Sequence, residues 1–213
     1  MTRKLSILYL IALCHLGLLG KPFHVYSPSS KQNTLWIVKA IPKGESLKLE
    51  VAEKVKFGFS GRVITAHPSK PLLYVTATGG DPGKVPGAVV FLNKDGSYQK
   101  HQNINFNDGA CYLSLDKENR HILGVSYGNG RLNVYPLDDQ GIPGKAVTTI
   151  DEGKKEAHCV LLPPDGKNVY IPYVKGNLAI LQYAYDSKTG KVVPLKPKDA
   201  KPPLGSGPRH MAY

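Results

Sequence analysis

An internal repeat limits most what this chain can fold into. Three segments share one pattern: GFSGRVITAHPSKPLLYVTA at residues 58–77, FNDGACYLSLDKENRHILGVSY at 106–127 and KKEAHCVLLPPDGKNVYIPYV at 154–174. Aligned on Pro68, Asp116 and Pro164, they stand 48 and 48 residues apart. Each reads as an apolar strand, a polar turn (HPSK, LDKEN or PPDGK) and a second strand rich in Tyr, Val and Ile. A partial fourth copy, GSGPRHMAY, runs to Tyr213. A repeat of fixed period sets the architecture, so it is read before any single motif.

Two more extended segments follow each pair: Gly87–Leu92 and Ser97–Ile104, Arg131–Leu137 and Lys145–Ile150, Asn177–Tyr185 and Lys191–Leu195. Alternating apolar residues bounded by NKDG, DDQG or DSKTG predict β-hairpins. Four short strands in each unit of this length predict an all-β chain, a β-propeller of four-stranded antiparallel blades. A β-sandwich is the alternative, but it gives no reason for equal spacing. Phe23–Ser27, Thr34–Ala40 and Leu47–Val55 match the second, third and fourth strands of a blade, and Arg209–Tyr213 an innermost strand without its partners. The expectation is therefore an incomplete propeller over 21–213: three full blades and two partial ones, as if cut off at the C-terminal side.

Gly (22) and Pro (17) recur throughout and interrupt every helical run, which excludes an all-α bundle. Residues 1–20, MTRKLSILYLIALCHLGLLG, place Arg3 and Lys4 before an apolar run, the pattern of a signal peptide and hence of a secreted or periplasmic protein. An uncleaved N-terminal anchor is the other reading, and the only membrane contact then expected. Beyond this segment stand Cys111 and Cys159, two thiols without metal-ligand spacing. They predict small apolar fillers, or a disulfide if the chain is exported. No metal or cofactor is expected. The net charge of +12 gathers partly in DSKTGKVVPLKPKDAKPP, which has no aromatic residue to stack on bases. Nucleic acid is therefore not an expected partner. No Gly-x-Ser-x-Gly elbow or Gly-Lys-Ser/Thr phosphate loop occurs.

Six residues before each repeat anchor stand Arg62, Ala110 and His158, and Arg209 takes the same place in the partial fourth copy. These positions open the innermost strands, which surround one mouth of a propeller's channel. Basic groups at three of four such points suit a small anionic ligand, although a solvated loop also explains any one of them. His210 follows Arg209 and is expected on the opposite strand face, packing.

HVYSPSSKQNTLWIVKAIPKGESLKLE, HPSKPLLYV, AHCVLLPPDGKNVYIPYVKGNLAILQYAYDSKTGKVVPL and above all GSGPRHMAY resemble the seven-bladed lactonase propellers, a family including bacterial 6-phosphogluconolactonase and fungal carboxymuconate-lactonising enzyme. Seven units of this length would need roughly 340 residues. The resemblance implies a lactonase that hydrolyses or forms a sugar-acid or related lactone, with His158 and Arg209 catalytic. Arg62 would then bind substrate. In the lactonising relatives the pair acts with a glutamate sixteen residues after the arginine, a position beyond Tyr213. The alternatives are a propeller that binds partners without catalysis, or an inactive remnant. The single tryptophan, Trp36, and the absence of a Trp-Asp pair argue against a WD-repeat scaffold.

Overall fold

The computed structural model describes residues 20–77, 79–174 and 178–212, and these form fourteen β-strands and no helix. The leader read in residues 1–20 lies outside them except for Gly20. Every sheet is an antiparallel meander. The first orders β1 (Phe23–Ser29), β2 (Thr34–Lys43) and β3 (Ser46–Lys56). The second joins β4 (Val63–Ala66), β5 (Leu72–Thr76), β6 (Val85–Leu92) and β7 (Tyr98–Phe106). The third joins β8 (Tyr112–Leu115), β9 (His121–Val125), β10 (Leu132–Pro136) and β11 (Thr148–Ile150). The fourth contains β12 (Asn168–Tyr173), β13 (Ala179–Asp186) and β14 (Lys191–Ala200).

Sheets sandwiched between neighbours have no solvent face, so their second strands read as continuous apolar runs. All five residues of β5 (LLYVT) and of β9 (HILGV) are buried. The outer strands differ: β3 buries only Val55, and most of β7 is exposed or half-buried. Residues of β9 divide between two cores. Ile122 packs with Tyr135, Leu113 and the first two sheets, whereas Leu123 and Val125 pack with Val169, Ile171 and Leu181 of the fourth.

Consecutive sheets are also clasped at one edge. The third-to-fourth-strand turn of one sheet presents a glycine to a ring on the preceding sheet. The Tyr26 hydroxyl donates to the Gly96 carbonyl at 2.6 Å, and the Tyr74 hydroxyl donates to the Gly141 carbonyl at 2.9 Å. Burial, with Asp95 adding to it, pushes the Tyr26 phenol up to about 12. Gly96 and Gly141 hold φ of 85° and 81°, and a methyl on either would strike the preceding sheet. At the third junction His121 takes the ring's place: a Cβ on Gly190 would sit 2.9 Å from its Nε2. Beneath it Asp116 is buried and fully used. Its carboxylate accepts the Arg120 and His121 N–H groups at 2.7 and 3.2 Å and the Tyr185 hydroxyl of the fourth sheet at 2.9 Å, and lies 3.1 Å from the His121 ring.

The innermost strand of the third repeat is only partly formed. Residues 157–161 meet β12 through two isolated bridges, Ala157↔Tyr173 and Leu161↔Tyr170, whose register differs by one residue. The cause is Pro172. The His158 N–H donates to the Pro172 carbonyl at 3.0 Å, but proline has no N–H to return to His158. The last expected strand is absent too: Arg209–Ala212 follow no strand conformation.

Candidate active site at the start of the fourth sheet

The backbone register fixes which positions are equivalent. Arg62 N–H donates to Thr76, Cys111 N–H to Val125 and His158 N–H to Pro172, each reaching the carbonyl fourteen residues on. Cys111 rather than Ala110 therefore matches Arg62 and His158. The turn carbonyls of Asp116 and Pro163 accept the N–H of the third residue beyond, so the true spacings vary slightly around 48. Arg62 is exposed at the head of β4, in the second sheet. His158 and Arg209 are brought together.

The segment carrying His158 is pinned from two sides. Glu156 adopts φ of 70°, uncommon for a residue with a Cβ. Its N–H donates to the Tyr127 carbonyl at 2.8 Å, and its carbonyl accepts from Val174 at 3.1 Å. These bonds hold the turn in place and deliver His158 half-buried, with the Tyr127 ring edge-on at 5.9 Å.

Arg209 Nη1 lies 2.9 Å from His158 Nε2. A guanidinium only donates, so Nε2 is the acceptor and the proton belongs on Nδ1. Nδ1 is buried without a hydrogen-bond partner among the described residues. Burial, then His210 and Arg209, lower the His158 pKa from its usual 6.5. The result is a neutral imidazole whose basic nitrogen faces a fixed cation. His210 does not turn away: its ring packs on His158 at 4.8 Å and lies 6.1 Å from Tyr112. Strand alternation does not govern a segment that is not a strand.

Polar groups that motif reading missed are bonded to one another elsewhere in the third and fourth sheets. Asp108 accepts Asn129 and Asn133 side-chain amides at 2.6 and 2.8 Å, and Arg131 bonds Asp151 at 2.8 Å. Glu152 accepts the Tyr183 hydroxyl at 3.1 Å and pairs with Lys198. No motif marks them: Asp108, Asn129, Arg131 and Glu152 lie in loops, and Asn133, Tyr183 and Lys198 within β10, β13 and β14. Among the described residues no cluster suits a metal ion. Cys111 and Cys159 are free thiols rather than a disulfide. Cys111 donates to the Ala157 carbonyl at 3.1 Å, and burial pushes its pKa up to about 12, which makes it a poor nucleophile.

Comparison with known proteins agrees with this architecture. A family model described as lactonase, 7-bladed beta-propeller, matches residues 27–213. Among curated proteins, the 6-phosphogluconolactonase of Cronobacter sakazakii is 28% identical over 189 residues, covering 88% of this chain and 53% of that protein. That of Photorhabdus laumondii is 32% identical over 103 residues, 48% of this chain and 30% of the relative. The solved periplasmic gluconolactonase PpgL of Pseudomonas aeruginosa superposes with a TM-score of 0.74 at 17% identity, covering 89% of this chain and 58% of that structure. The chain thus spans about half the length of the curated relatives it matches.

Proposed function

The chain belongs to the lactonase family of seven-bladed β-propellers, and from that premise we propose that it is a lactonase of the 6-phosphogluconolactonase type. It opens or forms a sugar-acid or related lactone at His158 and Arg209. The observation that carries this reading is the 2.9 Å contact between the Arg209 guanidinium and the basic nitrogen of a neutral His158.

Lactone hydrolysis requires a base for water, a positive group for the oxyanion and an acid for the departing ring oxygen. In this reading the Arg209 guanidinium shifts from His158 Nε2 to the carbonyl oxygen when substrate binds, and the freed Nε2 takes a proton from water as the water oxygen bonds to the carbonyl carbon. Arg209, always charged and forked, stabilises the negative oxygen of the tetrahedral intermediate. The imidazolium then returns its proton to the ring oxygen as the acyl C–O bond breaks. Water is consumed and a hydroxy acid results; the reverse sequence closes the lactone. Arg62, exposed at the matching point of the second sheet, is placed in this reading to hold the anionic end of the substrate. Residues 1–20 support export, to the periplasm or beyond. That argues for a lactone met outside the cytoplasm.

The test is turnover of phosphorylated and free sugar lactones by the purified chain, followed by proton release. Arg209→Ala is expected to lower kcat at least about a hundredfold, the scale for loss of an oxyanion donor. His158→Ala should lower kcat and remove the fall in activity that protonation of the base causes at low pH. Turnover unchanged in Arg209→Ala, or none on any sugar lactone, refutes the proposal.

A further inference from the structure

The turn between β4 and β5 is closed by a histidine ring. The His67 N–H donates to the Leu72 carbonyl at 2.9 Å, and its Nδ1 accepts the Ser69 and Lys70 N–H groups at 3.2 and 3.0 Å. Two donors facing Nδ1 require its lone pair, so the ring proton belongs on Nε2. The residue is buried, and Nε2 has no hydrogen-bond partner among the described residues. The matching turns of the next two sheets are closed by carboxylates instead. Asp116, whose N–H donates to His121 as that of His67 does to Leu72, accepts the Arg120 and His121 N–H groups. In the fourth sheet Asp165 accepts the Lys167 N–H at 3.0 Å. Imidazole gains a proton near neutral pH, where an ordinary carboxylate remains an acceptor.

The histidine turn is also where the second sheet grips the third. Lys70 Nζ donates to the Asp139 carbonyl at 2.7 Å, and the Tyr74 hydroxyl to that of Gly141 at 2.9 Å. Both acceptors lie in one turn, closed by bonds from Asp138 N–H to Ile142 and from Gly141 N–H to Asp138. The Tyr74 ring stands 6.4 Å from that of His67. Four charged or titratable groups meet here. Lys70, on the histidine's own turn, disfavours a second ring proton, and Tyr74 flanks the ring from β5. From the third sheet come Asp138, whose carboxylate accepts the Gln140 and Ile142 N–H groups, and Asp139, which meets Lys70 through its carbonyl. None of the four is a partner for Nε2.

We propose that His67 is a pH-sensitive latch on the junction between the second and third sheets. A proton on Nδ1 would point at two N–H donors, and a buried charge without a partner is costly. The ring must leave or the turn must open. Either way Lys70 and Tyr74 lose the support that sets them against residues 138–142. Burial, then Lys70, lower the His67 pKa from its usual 6.5. The stability carried by the neutral ring is therefore full above 6.5 and declines as pH falls toward the folded value.

NMR of the full chain tests this. The His67 ring should hold its proton on Nε2 at about pH 7.5 and titrate below 6.5. The Ser69, Lys70 and Gly141 amide signals should move with the same midpoint. Exchange of the Gly141 amide, corrected for its intrinsic pH dependence, should quicken at least about tenfold from about pH 7.5 to about pH 5. His67→Asp installs the acceptor type of the third sheet and should hold that exchange constant within about threefold. Any contribution of Asp138 is common to both chains, so the difference belongs to His67. Should His67→Asp fail to fold, His67→Asn supplies a neutral acceptor with the same expectation. A ring protonated on Nδ1 at about pH 7.5 overturns the proposal. So does Gly141 exchange indifferent to the ring's titration, or equal quickening in the variant. These readouts involve no lactone turnover, so they stand apart from the proposed activity.

Discussion

Replacing Gly141 by alanine isolates the energy of one inter-sheet clasp. At φ of 81° any residue with a Cβ pays about 1–2 kcal/mol for left-handed backbone. The new methyl would also stand 2.5 Å from Leu72 Cδ1 and 3.2 Å from the Tyr74 hydroxyl, atoms of the preceding sheet. Forcing one extra carbon into a packed contact costs about 1–3 kcal/mol. Gly141→Ala should therefore lose about 2–5 kcal/mol of stability. Gly153→Ala provides the control, because Gly153 has φ of 63° with nothing within 4 Å of its Cβ position and suffers the backbone term alone. Urea unfolding of both variants, read by Trp36 and tyrosine fluorescence, gives the difference directly. It should be at least about 1 kcal/mol, with Gly141→Ala the less stable. Equal losses would refute the clasp as an energetic contact between sheets.

Asp116→Asn keeps the shape of the buried network but turns an all-acceptor group toward donors, so it should lower stability by about 2–3 kcal/mol, visible as a reduced Tm. An undiminished Tm would deny that network its role. The His158 imidazole should titrate below 6.5 when followed by NMR, chiefly from burial, and Arg209→Gln should move it upward by a smaller amount. Because its folded pKa is depressed, the stability it contributes is full above the unfolded value and declines as pH falls from 6.5 toward the folded value. A ring titrating above 6.5 would contradict the tautomer and the proposed base. Cys111 should resist alkylation at pH 8 in the native protein and react once unfolded; rapid native labelling would refute its burial.

The sheets were legible in the sequence because the repeat carries their turns: HPSK, LDKEN and PPDGK mark the first hairpins, and NKDG, DDQG and DSKTG the outer ones. Where reading by alternation went astray, a neighbour was the cause. Pro172 sits in a strand that is otherwise continuous, and its missing N–H is felt by His158, a residue of a different strand. Arg209–Ala212 have the look of a strand but no strand to pair with among the described residues. That is why His210 joins His158 instead of facing away. Of the three basic residues singled out, two meet, His158 and Arg209. Their meeting was legible only through the repeat and the Gly-Pro-Arg-His resemblance, since 51 positions separate them. Tyr127, Asp108 and Glu152 belong to no motif. Their place depends on which loops share an edge, and that is a property of the packed sheets.

The clasps reach roughly 70 residues along the chain but only to the adjacent sheet. Such a fold is nearly one-dimensional in its energetics. Stability accumulates as a sum over sheets and the junctions between nearest neighbours, much as in solenoid repeats. Among the described sheets, those with one described junction should lose order before those with two. The second and third sheets, gripped on both sides, would be last to exchange their amide protons.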